Sequence, residues 1–414
     1  MRRADVFSFV AERCLQPGPG GLVGIEVEWF PIAAAACDAR VPLAVLRSAL
    51  DGLAPLPGHA AITFEPGGQL ELSTLPQRGA AAACAELRSD LTVLRRRLEE
   101  HGIGLFAAGL HPRWAPERVL CAPRYEAMEG YFDTAAGADG RPEPSWGPVG
   151  RTMMTSTAAI QISVDIGPDP ERTWRLAHDL GPVLVGAFAN SPFARGRPTG
   201  FYSTRFANWW QLDPARTHPI GARGGAVSAT VAYALAAPVL GIFVDGPGSE
   251  FRPLPDRRTF LDWMRAGPGI RAPDLTDLAY HLTTLFPPVR PRGWLELRMI
   301  DALPDPLWEV PVAVTAALLA QPENADGCLR SAAGLWLEAA RHGLRHPVLA
   351  ATARRAFAEA AAVLDDRPGE RELAAAVREY AERYVDRGRC PADDQLDRWQ
   401  RTGHVADVAP RVAV

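Results

Sequence analysis

Four short stretches of this chain alternate apolar with polar residues, and their polar positions carry carboxylates, an amide and an arginine. They are Ile25-Glu26-Val27-Glu28-Trp29, Phe64-Glu65-Pro66-Gly67-Gly68-Gln69-Leu70-Glu71-Leu72, Ile160-Gln161-Ile162-Ser163-Val164-Asp165 and Leu295-Glu296-Leu297-Arg298-Met299. Successive side chains of a strand point to opposite faces. Glu26 and Glu28 therefore share one face, opposite Ile25, Val27 and Trp29. Glu296 and Arg298 share a face opposite Leu295, Leu297 and Met299. Gathered in one sheet, these carboxylates repel one another unless cations neutralise them. Clustered hard oxygen ligands suit Mg²⁺ or Mn²⁺, and Mg²⁺ suits the phosphates of a nucleotide. In any single strand, carboxylates on a wet face are ordinary. Four strands with one layout, one of them ending in Glu-x-Arg, point to a site.

The elements that must position these groups are also legible. Pro66-Gly67-Gly68 reads as the corner of a hairpin over residues 62–73, which brings Glu65 and Glu71 toward one point from two directions. Residues 80–101 predict an amphipathic helix with Leu87, Leu91, Leu94 and Leu98 on one stripe and Gly102 at its end. Short helices are expected over 1–20 and 42–51, a strand over 103–110, and a turn leading into a helix over 115–131. Helices are also expected over 170–189 and 225–240, a strand over 239–244, and helical structure from 306 to about 388. Residues 133–150 are rich in Gly, Pro and Ala and read as a loop. Residues 195–223 read as an irregular stretch rich in arginine and aromatics, which holds Arg205, Phe206, Trp209 and Trp210. His111 reads as a satisfied polar residue, and His281 as the start of a helical stretch.

Composition bounds the function. The 414 residues are 47% hydrophobic, enough for a large core. Candidate sheet strands lie between residues 22 and 300, which favours one large domain with helical additions. A net charge of −4 and a pI of about 6.2 give no basis for a nucleic-acid or membrane partner. All 44 basic residues are arginine. Without lysine, a Walker-type phosphate loop and a Schiff-base mechanism are excluded. Anions must be held by arginine, backbone amides or metal. Cys14, Cys37, Cys84, Cys121, Cys328 and Cys390 form no CxxC pair and read as dispersed thiols. The histidines show no ligand spacing for zinc. Neither a signal-peptide core nor an apolar run of spanning length is present, so the expected compartment is the cytoplasm.

The four stretches, together with Met153-Met154, Phe188-Ala189-Asn190-Ser191-Pro192-Phe193, Gly200-Phe201-Tyr202-Ser203-Thr204-Arg205 and Leu285-Phe286-Pro287-Pro288-Val289-Arg290, resemble the hallmark segments of glutamate–cysteine ligases of the plant and actinobacterial type. Within that family they are most similar to the ligase that opens bacterial ergothioneine synthesis. The resemblance runs over roughly residues 20 to 400 and implies an α/β fold. A curved, mainly antiparallel sheet would form an active-site funnel with helices outside, as in glutamine-synthetase-like ligases and guanidino kinases. It implies ATP-dependent joining of the glutamate γ-carboxylate to the cysteine amine through γ-glutamyl phosphate, with Mg²⁺ or Mn²⁺. Glu26, Glu28, Glu65, Glu71, Gln161 and Glu296 would be the metal ligands. Arg298, beside Glu296, would contact the transferring phosphoryl group, and Arg205 would grip the glutamate α-carboxylate. Thr157, Tyr131, Arg113 and Arg124 would line the substrate pocket. Two departures stand out: Ser163 where the family pattern has asparagine, and Thr74 where a glycine often follows the serine.

Residue types alone leave other readings open. Arg298 can be a salt bridge to Glu296, Arg205 a surface arginine, and Tyr131 a core residue. A ligase for another amine acceptor, a guanidino kinase and a non-catalytic binding protein are the alternatives in function. An acyl phosphate must be shielded from water, and segments 133–150 and 201–210 are the expected covers.

Overall fold

The alternating stretches meet in one sheet. The computed structural model describes every residue except 35, 135–145, 222, 245–249, 255, 266–270, 321–326, 328 and 406–414. Its strands are β1 (Leu22–Ala33), β2 (Ala36–Arg40), β3 (Ala61–Phe64), β4 (Leu70–Ser73), β5 (Gln77–Arg78), β6 (Ile103–Phe106), β7 (Ala159–Val164), β8 (Phe193–Ala194), β9 (Arg197–Pro198), β10 (Gly241–Phe243), β11 (Phe251–Pro253), β12 (Val289–Pro291) and β13 (Leu295–Asp301). Among the described residues, nine of these strands form one sheet whose main path runs β12-β13-β7-β1-β4-β3, while β8-β9 and β10-β11 are separate pairs. Every pairing is antiparallel.

The register follows from burial. Ile25 pairs with Ile162, Val27 with Ile160 and Leu72, Trp29 with Leu70, and Leu297 with Ile162. These side chains form a continuous apolar face, all at most 1% exposed. Each contributes on the order of 1.5–3 kcal/mol on burial. A slip of one residue would turn the whole set to the wrong side, so the register is strongly specified. The polar set is thereby forced onto the opposite face.

Helices Gly79–Glu99, Pro170–Ala187 and Glu309–Ala320 cover the apolar face, and helices Pro347–Asp365 and Arg371–Tyr380 pack outside them. The predicted stripe Leu87, Leu91, Leu94 and Leu98 is buried. At the start of the Gly79–Glu99 helix, Glu370 accepts a hydrogen bond from the Ala80 amide at 2.9 Å. Such an acceptor at a helix N-terminus satisfies one of its orphan donors. The hairpin corner forms as expected, with Gly68 at φ +83°. At Gly67 a Cβ would lie 2.0 Å from the Thr155 carbonyl oxygen, so only glycine fits.

Several expectations differ from the structure. The stretch 195–223 is not irregular throughout: Thr204–Gln211 and Pro214–Thr217 are helices. Ser203 starts the first by accepting from the Phe206 amide, and Asp213 starts the second by accepting from the Ala215 amide. Both are ordinary N-cap residues, so the signal was present and was masked by the surrounding arginines and aromatics. Gly147–Ser156 is a helix, beginning with Pro148 in its first turn. His281 lies in the last turn of helix Leu275–Thr283 instead of opening one. The strand expected over 103–110 ends at Phe106.

Candidate active site

The polar face is a grid built by strand pairing. Glu28 pairs with Glu71, and Glu71 with Thr63; Glu26 pairs with Gln161 and Ser73. Ser163 pairs with Glu296, which pairs with Arg290. Directly paired residues of an antiparallel sheet point to the same side and lie close. The expected convergence of side chains is therefore real for Glu26, Glu28, Glu71, Gln161, Glu296 and Arg298. Glu65 joins them from the hairpin corner.

At one end of the grid, carboxylate oxygens of Glu28, Glu65 and Glu71 all lie within 4.8 Å of one another. Burial, followed by the charges of Glu65 and Glu71, pushes Glu28 well above the usual carboxylate range. Burial and Glu71 lift Glu65 to about 7. Burial, then Glu296 and Glu71, lift Glu26 to about 7 as well. Glu28 is held in place by the Ala159 amide at 2.9 Å and by Gln161 Nε2 at 3.0 Å. Glu71 accepts from Thr63 Oγ1 at 2.6 Å and Ser73 Oγ at 3.2 Å. A compact set of anionic oxygens that resist ionising together fits a hard divalent cation such as Mg²⁺ or Mn²⁺.

The other end is electrically opposite. Glu296, 1% exposed, forms a two-pronged ion pair with Arg290, and lies 3.2 Å from Arg298 and 3.6 Å from Arg292. Burial alone would raise its pKa; Arg298 and Arg290, then Arg292, overcome this and hold it at about 2. Glu296 is thus held ionised among three arginines. The salt-bridge reading of Arg298 is met in geometry, and Arg298 also donates to Gln161 Oε1. Gln161 therefore joins the two ends, accepting from an arginine and donating to Glu28.

Arg205 is not a surface arginine: it is 3% exposed. Its Nη2 donates to the Arg298 carbonyl at 2.8 Å. Its Nε and Nη1 are buried without a hydrogen-bond partner among the described residues. Orphaned buried donors are rare and call for a reason; a bound anion supplies one.

The remaining expected pocket residues all have hydrogen bonds to protein groups. The Thr157 hydroxyl donates to the Met153 carbonyl at 2.6 Å, and its own carbonyl accepts from Gln69 at 2.7 Å. Tyr131 sits in a small cluster with Met128, Phe132, Met153 and Met154, and its hydroxyl donates to Asp213 at 2.5 Å. Arg113 donates to the Val405 carbonyl at 3.2 Å. Arg124 donates to the Thr283 hydroxyl at 3.1 Å and carbonyl at 2.7 Å, close enough to Glu65 to favour its charge. His111 stacks on Trp114 at 3.9 Å and accepts from the Trp114 amide. Burial, then Arg40 and Arg113, push its pKa down to about 3, so it stays neutral.

Sequence reasoning missed two residues. Arg290 was readable: Val289-Arg290-Pro291 and Leu295-Glu296-Leu297 alternate around a turn at Arg292-Gly293, which sets Arg290 across from Glu296. Asp301 was not. Strict alternation from Glu296 puts residue 301 on the apolar face. Instead, β13 shifts register between Leu297 and Ile300, so that Ile300 pairs with Ile160 and Asp301 with Ala159. An extra residue in one strand re-aims the side chains beyond it. The doubled apolar pair Met299-Ile300 is its sequence signal.

Comparison with known proteins identifies the family. A family model described as glutamate-cysteine ligase family 2 matches residues 22–410. The glutamate–cysteine ligase EgtA of Mycobacterium tuberculosis is 42% identical over 401 residues, 94% of this chain and 89% of the relative. That of Mycolicibacterium smegmatis is 40% identical over 412 residues, 96% and 92%. The chloroplastic glutamate–cysteine ligase of Arabidopsis thaliana is 32% identical over 306 residues, 70% and 55%. Two solved structures share the fold. One is a glutamate–cysteine ligase from Francisella tularensis in complex with AMP, with a TM-score of 0.52, 15% identity, and 93% of this chain and 86% of that chain covered. The other is a bifunctional glutathione synthetase from Pasteurella multocida, with a TM-score of 0.55 and 14% identity; it covers 99% of this chain, which spans about half of that protein (52%).

Proposed function

The chain belongs to glutamate-cysteine ligase family 2, and from that premise we propose that its polar sheet face joins the γ-carboxylate of glutamate to the amine of cysteine, using ATP. The observation that carries this reading is the juxtaposition of the carboxylate trio of Glu28, Glu65 and Glu71 with buried Arg205 and the part-buried Arg290 and Arg298 across one sheet face. An acid group and an amine do not condense in water unless the carboxylate is activated. Glutamate's γ-carboxylate attacks the γ-phosphorus of ATP, ADP leaves, and the amine displaces phosphate from the acyl phosphate. Each step needs positioning and charge neutralisation more than covalent help from the protein.

Glu28, Glu65 and Glu71, with Glu26 beside them, would hold the divalent cation. A bound Mg²⁺ or Mn²⁺ would supply charge neutralisation at the phosphate oxygens. The chain's own contribution comes from the grid. Arg298 presents a guanidinium next to the trio, kept there by Glu296 and Gln161. Arg205 offers unspent donors to the glutamate α-carboxylate. The Phe201–Trp210 segment, whose Tyr202 and Ser203 amides are bonded to the Ala340 carbonyl, is a fixed wall in this reading; most of the other expected cover lies outside the described residues.

We infer that the whole catalytic unit is one domain, since a single apolar cluster includes residues from Val6 to Val385. We also infer a cytoplasmic setting and a place for the product in ergothioneine synthesis. Free thiols at Cys14, Cys84, Cys121 and Cys390 support the former, and the mycobacterial relatives support the latter.

Mass spectrometry of products from glutamate, cysteine, ATP and Mg²⁺ tests the reading. γ-Glutamylcysteine should form with one ADP and one phosphate per turnover. Release of a stable phosphorylated product with no amine acceptor present would instead indicate a kinase. A faster reaction with another amine in an acceptor panel would replace cysteine.

A further inference from the structure

We propose that Asp301 is a positioning residue: it fixes the first turn of helix Thr204–Gln211 so that Arg205 presents its unspent donors to the α-carboxylate of glutamate. The proposal rests on the reading of Arg205 given above, and goes beyond it by naming what sets that arginine's geometry.

Asp301 is 2% exposed and sits where three segments meet. Its Oδ2 accepts from the Asn190 amide at 2.9 Å and from Ser191 Oγ at 2.7 Å. Its Oδ1 accepts from Ser203 Oγ at 2.9 Å and lies 3.9 Å from Arg205 Nη1. Both serines pass the constraint on. Ser191 Oγ accepts from the Arg205 amide at 3.2 Å, and Ser203 Oγ accepts from the Phe206 amide at 3.1 Å. One carboxylate thus orients two hydroxyls, and these hydroxyls satisfy two of the orphan amides at the helix start.

The device depends on the irregularity of β13. Only the register shift between Leu297 and Ile300 turns Asp301 to the polar face. The same shift lies beside the Arg298 carbonyl that Arg205 Nη2 engages. Arg205 is therefore held by its backbone through the serines and by one nitrogen through the strand. Space for the carboxylate is made by Gly109, where a Cβ would lie 2.2 Å from the Asp301 carboxyl carbon. Gln395 braces the opposite side of the turn by donating to Asn190 Oδ1 at 2.5 Å. With Nη2 spent, Nε and Nη1 carry no hydrogen bond, and Nη1 faces Asp301 at 3.9 Å; their hydrogen-bonding capacity is what a ligand would use. A guanidinium matches a carboxylate in bidentate geometry.

The test compares glutamate with 4-aminobutyrate, which keeps the reacting carboxylate and lacks the α-carboxylate. In the intact enzyme glutamate should be strongly preferred. Arg205→Ala should collapse the ratio of kcat/KM for the two substrates; an unchanged ratio there defeats the Arg205 reading itself. Given that collapse, Asp301→Asn should raise the KM for glutamate on the order of 10–100-fold, the size expected for a misplacement of about 1 Å. The KM for ATP and the activity toward 4-aminobutyrate should stay within about 3-fold. In the double variant the two losses should not add. Asp301→Asn with an intact glutamate preference, or with equal loss for both substrates, overturns the positioning role. If Asp301→Asn does not fold, Ser203→Ala removes one relay alone and should raise the glutamate KM about 3–10-fold; no change in that variant overturns the proposal.

Discussion

Glu65 and Glu296 are the same residue type on the same functional face, yet the fold gives them opposite electrostatics. Glu65 sits among Glu28 and Glu71 and keeps its proton up to about pH 7. Glu296 sits among Arg290, Arg292 and Arg298 and gives its proton up near pH 2. The first is a charge deficit that invites a cation. The second is a closed set in which the carboxylate serves the arginines. The family resemblance assigned both to metal binding; we propose that, of the two, Glu65 is the open cation ligand and Glu296 the counter-ion of the arginines.

Breaking each end should therefore have different consequences. The largest effect is expected at Glu296. Glu296→Gln leaves part-buried Arg290 and Arg298 without their buried counter-charge, and removing one partner of such a pair costs up to about 3–5 kcal/mol. Glu65→Gln relieves repulsion instead, and should leave the metal-free protein as stable as the unaltered chain or more so. Urea denaturation of both variants without divalent cation checks this, and equal losses would erase the distinction.

Activity should separate the arginines next. Arg298→Ala should lower kcat by about 10²–10³, because charge shifts at the phosphoryl group during transfer. Arg205→Ala should act chiefly on the KM for glutamate. Steady-state kinetics in which both variants change only the KM for ATP would break both assignments.

pH sharpens the comparison further. Glu26 and Glu65 keep their protons to about pH 7 when folded, against about 4.3 when unfolded. Between those values the unfolded chain releases protons that the folded chain retains, so stability falls as pH rises. Glu296 acts in the opposite sense: its contribution is present at neutral pH and is lost as pH falls from about 4.3 toward its folded value. The melting temperature of the metal-free protein should decline from about pH 4.5 to 7, and saturating Mg²⁺ should flatten that decline. A decline that Mg²⁺ leaves untouched would place its cause outside the trio.

The smallest effect is expected one layer out. Thr63 holds Glu71 through a single hydroxyl, and Thr63→Ala should weaken divalent-cation binding about 10-fold. Calorimetric titration with Mn²⁺ reads this directly; unchanged affinity would mean that Glu71 needs no such support.

Much of this site was legible because a strand's two faces are a sequence property. The alternation of Ile25, Val27 and Trp29 with Glu26 and Glu28 puts both carboxylates on one face by periodicity alone, and the Pro66-Gly67-Gly68 corner accounts for the approach of Glu65 to Glu71. The helix carrying Arg205 was missed because its two caps, Ser203 and Asp213, lie in a stretch whose composition suggests a loop. Arg290 was overlooked although its hairpin is written plainly around Gly293.

By itself, then, the sequence determined which side chains share a face within the regular strands, where most of the long helices lie, and, through missing lysine, which anion-binding chemistries are closed to the chain. Tertiary structure alone decided what those side chains do. Whether a glutamate is an open ligand or a fixed counter-ion depends on which strands lie beside it, and β13 meets β7 from more than a hundred residues away. The register shift that turns Asp301 inward depends likewise on that partner strand. Local residue types set geometry over a few ångströms along the chain; charge and burial are set by neighbours that only folding brings together.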